Sequence, residues 1–184
     1  MEEISLNILD IVQNSIKAKS SYIQIKIEII KREDLLRIKI QDDGMGMSKD
    51  SLEKVVDPFF STRKTRTIGL GIPFFKHAAE ITGGNFTIHS KLGQGTTVVA
   101  NFVLSHIDRM PLGNMVDTIH LLITMNPDIR FLYTYVLDDK VFSLDTNQLK
   151  EVLGDLPFNI PEVSNFIKEY LIEHHNEINV AEYI

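Results

Sequence analysis

The chain has 184 residues, 43% of them hydrophobic, a formal charge of −6 and no cysteine. That is enough apolar material to bury a real core, and the length suits one domain, or one domain with a small appendage. Disulfides, thiolate nucleophiles and cysteine-held metals are excluded; the acidic balance argues against general nucleic-acid binding; and no apolar run approaches the ~20 residues of a membrane span, so a cytoplasmic protein is expected.

From about Glu3 to Lys19 the pattern is helical. Ile4, Ile8, Ile11, Val12 and Ser15 share one face at three- and four-residue steps, and Glu3, Asn7, Asp10 and Asn14 share another. Lys17 follows Asn14 by about one turn. The period then changes to two: Ile23, Ile25, Ile27 and Ile29 alternate with polar residues in Tyr22 to Ile30, and Leu36, Ile38 and Ile40 repeat the pattern. Lys31 to Asp34 makes the turn of this antiparallel hairpin.

Directly after the second strand, Asp42-Asp43-Gly44-Met45-Gly46 bends the chain sharply and lets its backbone approach a neighbour. A calcium loop is excluded, because Gly44 and Gly46 stand at the third and fifth positions and offer no side-chain oxygen. A short helix from Ser48, its cap, to Val56 ends at Asp57-Pro58. Phe59 and Phe60 follow, then a basic, hydroxyl-rich run containing Arg63, Lys64 and Arg66. Gly69-Leu70-Gly71 leads into a helix from Ile72 to Thr82, stopped by Gly83. Glycines entering a helix N-terminus form an anion site, since free N–H groups and the positive end of the dipole face the ligand. No Walker A or GxGxxG spacing occurs. Strands from Phe86 to Ser90 and Thr96 to Leu104 flank Gly93-Gln94-Gly95 and are expected to close the sheet.

Beyond a boundary at Pro111 and Gly113, the pattern gives a helix over Met115 to Thr124 and a hairpin over Asp128 to Leu144 turning at Asp138-Asp139. A short helix at Leu149 to Leu153 and a last one from Pro161 to about His175 complete the chain. No catalytic constellation is evident there.

In the order and spacing of these signatures, residues 2 to 104 resemble the GHKL, or Bergerat-fold, ATPase superfamily, most of all the ATP-binding catalytic domain of sensor histidine kinases. The resemblance implies an α+β, two-layer α/β sandwich whose mixed, mostly antiparallel sheet is covered by helices. It divides the chain into an ATPase domain, 1–104, and a small α+β extension, 105–184, for docking or sensing. It implies ATP and Mg²⁺ as cofactors. Asn14 would bind the metal, preceded by the acidic Asp10. Asp42, Gly44 and Gly46 form the DxGxG turn whose aspartate accepts from the adenine amino group. Asp57 to Phe60, with Phe59, corresponds to the phenylalanine box. Lys64 lies in the lid, Gly69, Leu70 and Gly71 in the second glycine box, and Thr96 in the closing glycine turn.

The chemistry agrees. Mg²⁺ favours oxygen ligands and phosphate, and a carboxylate, which only accepts, selects the N6 amino group of adenine over the carbonyl of guanine. Lys17 can reach phosphate as a point charge. Asp10 and Lys17 are the expected catalytic residues. Asp10 is roughly 1.5 Å shorter in reach than the glutamate of the hydrolytic branches, and base catalysis needs heavy atoms within ~2.6–3.2 Å, so slow hydrolysis is expected. Transfer to a histidine, whose neutral ring already has a lone pair, needs mainly positioning and charge neutralisation. The expected activity is transfer of the γ-phosphoryl group to a histidine in two-component signalling. The alternatives are an anti-sigma-type serine/threonine kinase and a non-catalytic, ATP-dependent switch. The opening helix stands where the family's phosphoacceptor hairpin would precede it, so a separate phosphoacceptor or regulated protein is the expected partner, and a homodimer is compatible. His77, His89, His106, His120, His174 and His175 are expected in structural or surface roles.

Overall fold

The strand pattern of the isoleucines organises the molecule. The computed structural model describes residues 3–56, 71–154 and 156–179. In Tyr22–Ile30 (β1) Ile23, Ile25, Ile27 and Ile29 are buried while the residues between them stay half-buried. Leu35–Asp42 (β2) pairs with it antiparallel, Ile25 facing Ile40 and Ile27 facing Ile38, so the buried rows coincide. Asn85–Lys91 (β3) and Gly95–Val103 (β4) form a second hairpin, and β4 joins the free side of β2.

The sheet does not close there, as the sequence had suggested. Arg130–Leu137 (β5) lies parallel to β1 and Lys140–Asp145 (β6) antiparallel to β5, giving one open sheet in the order β3-β4-β2-β1-β5-β6. Buried residues of β5, Phe131, Tyr133 and Tyr135, stand beside Ile23, Ile25 and Ile27. A strand with one wholly apolar, buried face is a liability at an edge; β5 puts β1 in the interior.

Helices Ile4–Lys17 (α1), Gly71–Glu80 (α3), Met115–Met125 (α4) and Pro161–Asn179 (α6) carry the buried side chains that share one core with the inward strand rows. Lys49–Val56 (α2) packs by α3, and Thr146–Leu153 (α5) by β5. The architecture is the two-layer α+β sandwich that the resemblance implied. Phe75 of α3 is fully buried against Phe102, with ring centroids 5.8 Å apart, and edge-on to Phe86 at 6.2 Å.

Segment 105–114 runs back to α1. Glu3 gives that helix no side-chain cap; the N–H groups of Ile4 and Ser5 donate instead to the carbonyls of Pro111 and Leu112, at 3.0 and 2.9 Å. Two of the four orphan donors of the first turn are satisfied by a stretch a hundred residues away. Several helix ends differ from the pattern-based bounds, among them that of α3, which stops at Glu80 rather than Thr82. α1 stops at Lys17, where Lys19 turns left-handed, φ 59°. α5 starts earlier, at Thr146, because the Asp145 carboxylate caps it by accepting from Asn147 N–H at 2.9 Å. α6 continues to Asn179.

On α6, His175 is buried and stacked on Tyr133, its Nε2 3.0 Å from the Tyr133 hydroxyl. Burial pushes the imidazole down to about 4 from its ordinary 6.5, and burial likewise holds the Tyr133 phenol well above its ordinary range, so the pair is neutral in the fold. The unfolded chain takes up a proton near pH 6.5 that the folded chain refuses until about 4. Stability from this site is therefore complete above pH 6.5 and is lost as the pH falls toward 4. Between pH 7 and 5 the loss is about 2 kcal/mol. Urea unfolding of the native chain and of His175→Phe at both pH values should show that difference in the native chain alone, and the ring proton of His175 should titrate by NMR near 4. A midpoint near 6.5 would mean that the ring is solvated.

Candidate functional site

Where α1, β2, β4, α2 and the start of α3 meet, the apolar layer is incomplete and leaves a cavity of about 350 Å³. Its walls are mostly aliphatic, with Ile11, Ile40, Met47, Val55, Ile72 and Val98, and its polar groups are few: Asn14, Ser15, Lys17, Asp42, Ser51 and Thr96. A flat apolar slot with a few fixed polar groups binds and orients a small ligand. Asp42 is the single carboxylate, and Lys17 the single cation, among the described residues that line it.

Asp42 ends β2 and is buried, yet every described contact of its carboxylate is a hydrogen bond it accepts. Ser15 Oγ of α1 donates to Oδ2 at 2.6 Å; the N–H groups of Gly44 and Thr96 donate to Oδ1 at 2.9 and 3.2 Å. An ionised carboxylate offers about four acceptor sites. Three are taken by the protein, which fixes the group rigidly, and the residue lines the cavity.

The turn that carries Asp42 is held by its glycines. Gly46 has φ +65° and lies on the Lys91 carbonyl, and Gly95 has φ +93° and lies on the carbonyl of Asp42; a Cβ at either would collide with backbone. The Gly93 N–H donates to the Met45 carbonyl at 2.8 Å, and the Met47 N–H to Ser90 Oγ at 2.8 Å. The two glycine signatures, half a hundred residues apart in sequence, thus clasp each other backbone to backbone. Asp43 turns away from the cavity. Burial tends to raise its pKa, but hydrogen bonds from Ser21 Oγ and from the Tyr22 and Ser21 N–H groups outweigh this and hold the carboxyl below its ordinary value. It staples the start of β1.

Of the residues anticipated from sequence, Asn14, Lys17, Asp42, Gly46 and Thr96 line this one cavity. Gly44 serves it indirectly through its N–H to Asp42. Asp10, one turn before Asn14, does not line the cavity among the residues found there but backs onto the first residue of α3: a Cβ at Gly71 would stand 2.9 Å from Asp10 Cβ and 3.3 Å from its Oδ2. This puts a carboxylate beside the positive end of a helix dipole. Phe59, Lys64, Gly69 and Leu70 lie outside the described residues. No cluster of three or more acidic or histidine side chains suited to a metal forms among the described residues. Asn14, which lines the cavity, offers a neutral amide oxygen, a ligand type compatible with an ion such as Mg²⁺ that arrives with phosphate and water.

Sequence reasoning missed Ser15 and Ser51. Ser15 was counted with the apolar face of α1; the signal was there, a hydroxyl at the one position of that face where a buried acceptor had to be met.

Comparison with known proteins agrees with this geometry. Residues 3–106 match the model of the family described as histidine kinase-, DNA gyrase B-, and HSP90-like ATPase. The chain is 32% identical over 96 residues to the sensor histidine kinase WalK of Bacillus subtilis, covering 48% of this chain and 16% of that protein. It is 34% identical over 105 residues to the sensor protein kinase FleS of Pseudomonas aeruginosa, covering 57% of this chain and 25% of that one. The chain thus spans a quarter or less of the length of these curated relatives. In fold it is similar to the Aquifex aeolicus MutL ATPase domain complexed with ADP, with TM-score 0.54 at 16% identity over 83% of this chain and 69% of that one. The N-terminal domain of a DNA repair protein gives TM-score 0.58 at 14% identity over 86% and 59%. These coverages carry the likeness of fold past residue 106. No helix of the described residues is long and apolar enough to cross a membrane. On the family match over more than half its length, the chain belongs to the histidine kinase-, DNA gyrase B- and HSP90-like ATPases.

Proposed function

We propose that the cavity takes Mg-ATP and that the chain passes the γ-phosphoryl group to a histidine of a partner protein, as the catalytic domain of a histidine-kinase-like protein in signal transduction. One observation carries the reading: a buried, rigidly held acceptor, Asp42, shares an apolar cavity with Asn14 and Lys17. The adenine N6 amino group would supply the donor that Asp42 still accommodates, while guanine would set a carbonyl against a carboxylate. Asn14 would hold Mg²⁺, which neutralises developing phosphate charge when bound. Lys17, at the exposed end of α1, would contact phosphate oxygens. Asp10, beside the first residue of α3, would orient the attacking group; Phe59, Lys64, Gly69, Leu70 and Gly71 are assigned to nucleotide binding by the family resemblance alone.

A partner histidine is favoured over one of this chain's own. His175 is buried, His120 is engaged with Ser164 and His174 with the Tyr170 carbonyl, and no histidine lines the cavity among the described residues. The similarity to WalK, a sensor histidine kinase, and to FleS, a sensor protein kinase, supports the same class.

Calorimetry should register uptake of ATP with magnesium and much weaker uptake of GTP. Asp42→Asn, which sets an amide donor against Ser15, Gly44 or Thr96, should weaken ATP at least tenfold, about 1.4 kcal/mol. Asn14→Ala should remove the magnesium dependence. No heat of uptake from the native chain would end the proposal. Ser15→Ala, which frees Asp42 of one charge-assisted bond, is expected to weaken ATP by about tenfold without unfolding the chain. With γ-labelled ATP and a candidate acceptor protein, an acid-labile label identifies histidine transfer. An acid-stable label would point to serine or threonine, and association without label to a switch.

A further inference from the structure

The helices cover one face of the sheet; the opposite face carries no helix among the described residues, and its side chains can be read row by row from the strand register. The central rows are Thr87, Val99, Lys39, Lys26, Thr134 and Ser143, and beside them Asn85, Asn101, Arg37, Glu28, Val136 and Val141. At the very centre, Lys26 of β1 stands directly opposite Lys39 of β2. Like charges directly opposite on one sheet face are destabilising. The strand had alternatives, since neighbouring pairs show Gln24 opposite Gln41 and Glu28 opposite Arg37.

Glu28 relieves only part of this. It reaches Lys26 Nζ at 2.8 Å and Arg37 at 3.7 Å, and Arg37 Nε also donates to Asn101 at 3.0 Å. Lys39 forms no ion pair among the described residues. Toward the edges, Lys91 lies opposite Gly95, and Arg130 is bound to Asp145. On the paired strand residues five cations thus share this face with two carboxylates, a surplus of three, on a chain whose formal charge is −6.

We propose that this face, centred on Lys26 and Lys39, is a docking surface for a carboxylate-rich peptide segment of a partner protein. Carboxylates placed between the two ammonium groups relieve their repulsion, and Gln24, Gln41 and Thr97 beside them supply neutral hydrogen-bond partners. A nucleic acid fits worse. Single strands on a flat sheet are held by stacking on aromatic side chains, and the described centre of this face has none; Tyr22, at its margin, is already covered by Arg130, 5.2 Å from the ring centroid.

Lys39→Glu tests this without threatening the fold, because it converts the central like pair into an opposite pair. The probe is a fluorescein-labelled deca-glutamate peptide, read by anisotropy on the full chain at low and physiological salt. The native chain is expected to bind it with salt-dependent affinity. Lys39→Glu should bind at least tenfold more weakly while its Tm equals or exceeds the native value and its ATP uptake is unchanged. Lys150→Glu with Lys168→Glu, on the helical layer, removes more charge and should bind within twofold of native. Equal peptide affinity in Lys39→Glu and native chain overturns the proposal, as does an equal loss in the helical-layer variant or tighter capture of a single-stranded oligonucleotide of the same charge.

Discussion

A single buried carboxylate joins the parts of the molecule that have to be in register. Asp42 sits at the end of β2 and takes a hydroxyl from α1, an N–H from its own turn and an N–H from β4. A buried charge is tolerated only when hydrogen-bonded, so the three donors and the charge require one another. Moving α1 by an ångström, or slipping the β3–β4 hairpin by one residue, would strand the carboxylate in an apolar wall. The hydrogen bonds that hold Asp42 at the cavity are the same ones that fix the helix carrying Asn14 and Lys17.

The glycine clasp is the backbone half of that constraint. Gly46 and Gly95 each occupy a left-handed conformation with a carbonyl lying where a Cβ would be. Side chains would hold the turn and the hairpin apart, and the Thr96 N–H would no longer reach Asp42. Two sets of residues with no charge and no chemistry of their own therefore decide the geometry of the one that has both.

Much of this was legible in the sequence because the signals are local. Period-two isoleucines specify which face of β1 and β2 is buried, and Asp42-Asp43-Gly44-Met45-Gly46 announces a close backbone approach. Asn14 and Lys17 share a helix with Ile8 and Ile11 at spacings that leave the polar pair beside the apolar wall. What was not legible depends on distant partners. Nothing near Ser15 says that its hydroxyl meets Asp42, 27 positions later, and nothing near Phe131 or Tyr133 says that their strand runs parallel to β1 rather than pairing within a sheet of its own. Asp42 and Asp43 are adjacent and chemically identical, yet one faces the cavity and the other staples a strand; strand alternation separates them, but only the fold says which side is which.

The later part of the chain bears on the site through α1. That helix is anchored at its C-terminal end by Ser15 on Asp42, and at its first turn by the carbonyls of Pro111 and Leu112. α4 packs along it, and β5 flanks β1, the partner of the strand that α1 contacts. An α-helix rises about 1.5 Å per residue and is stiff over this length, so Asn14, ten residues from the first-turn anchor, is positioned by both ends together. Without segment 105–114 the first turn would keep two unsatisfied N–H groups, and without β5 the isoleucine strand would become an exposed apolar edge. The cavity is formed by residues before position 100, but the rigidity that gives its polar groups a fixed geometry comes from the whole sheet and from contacts beyond it.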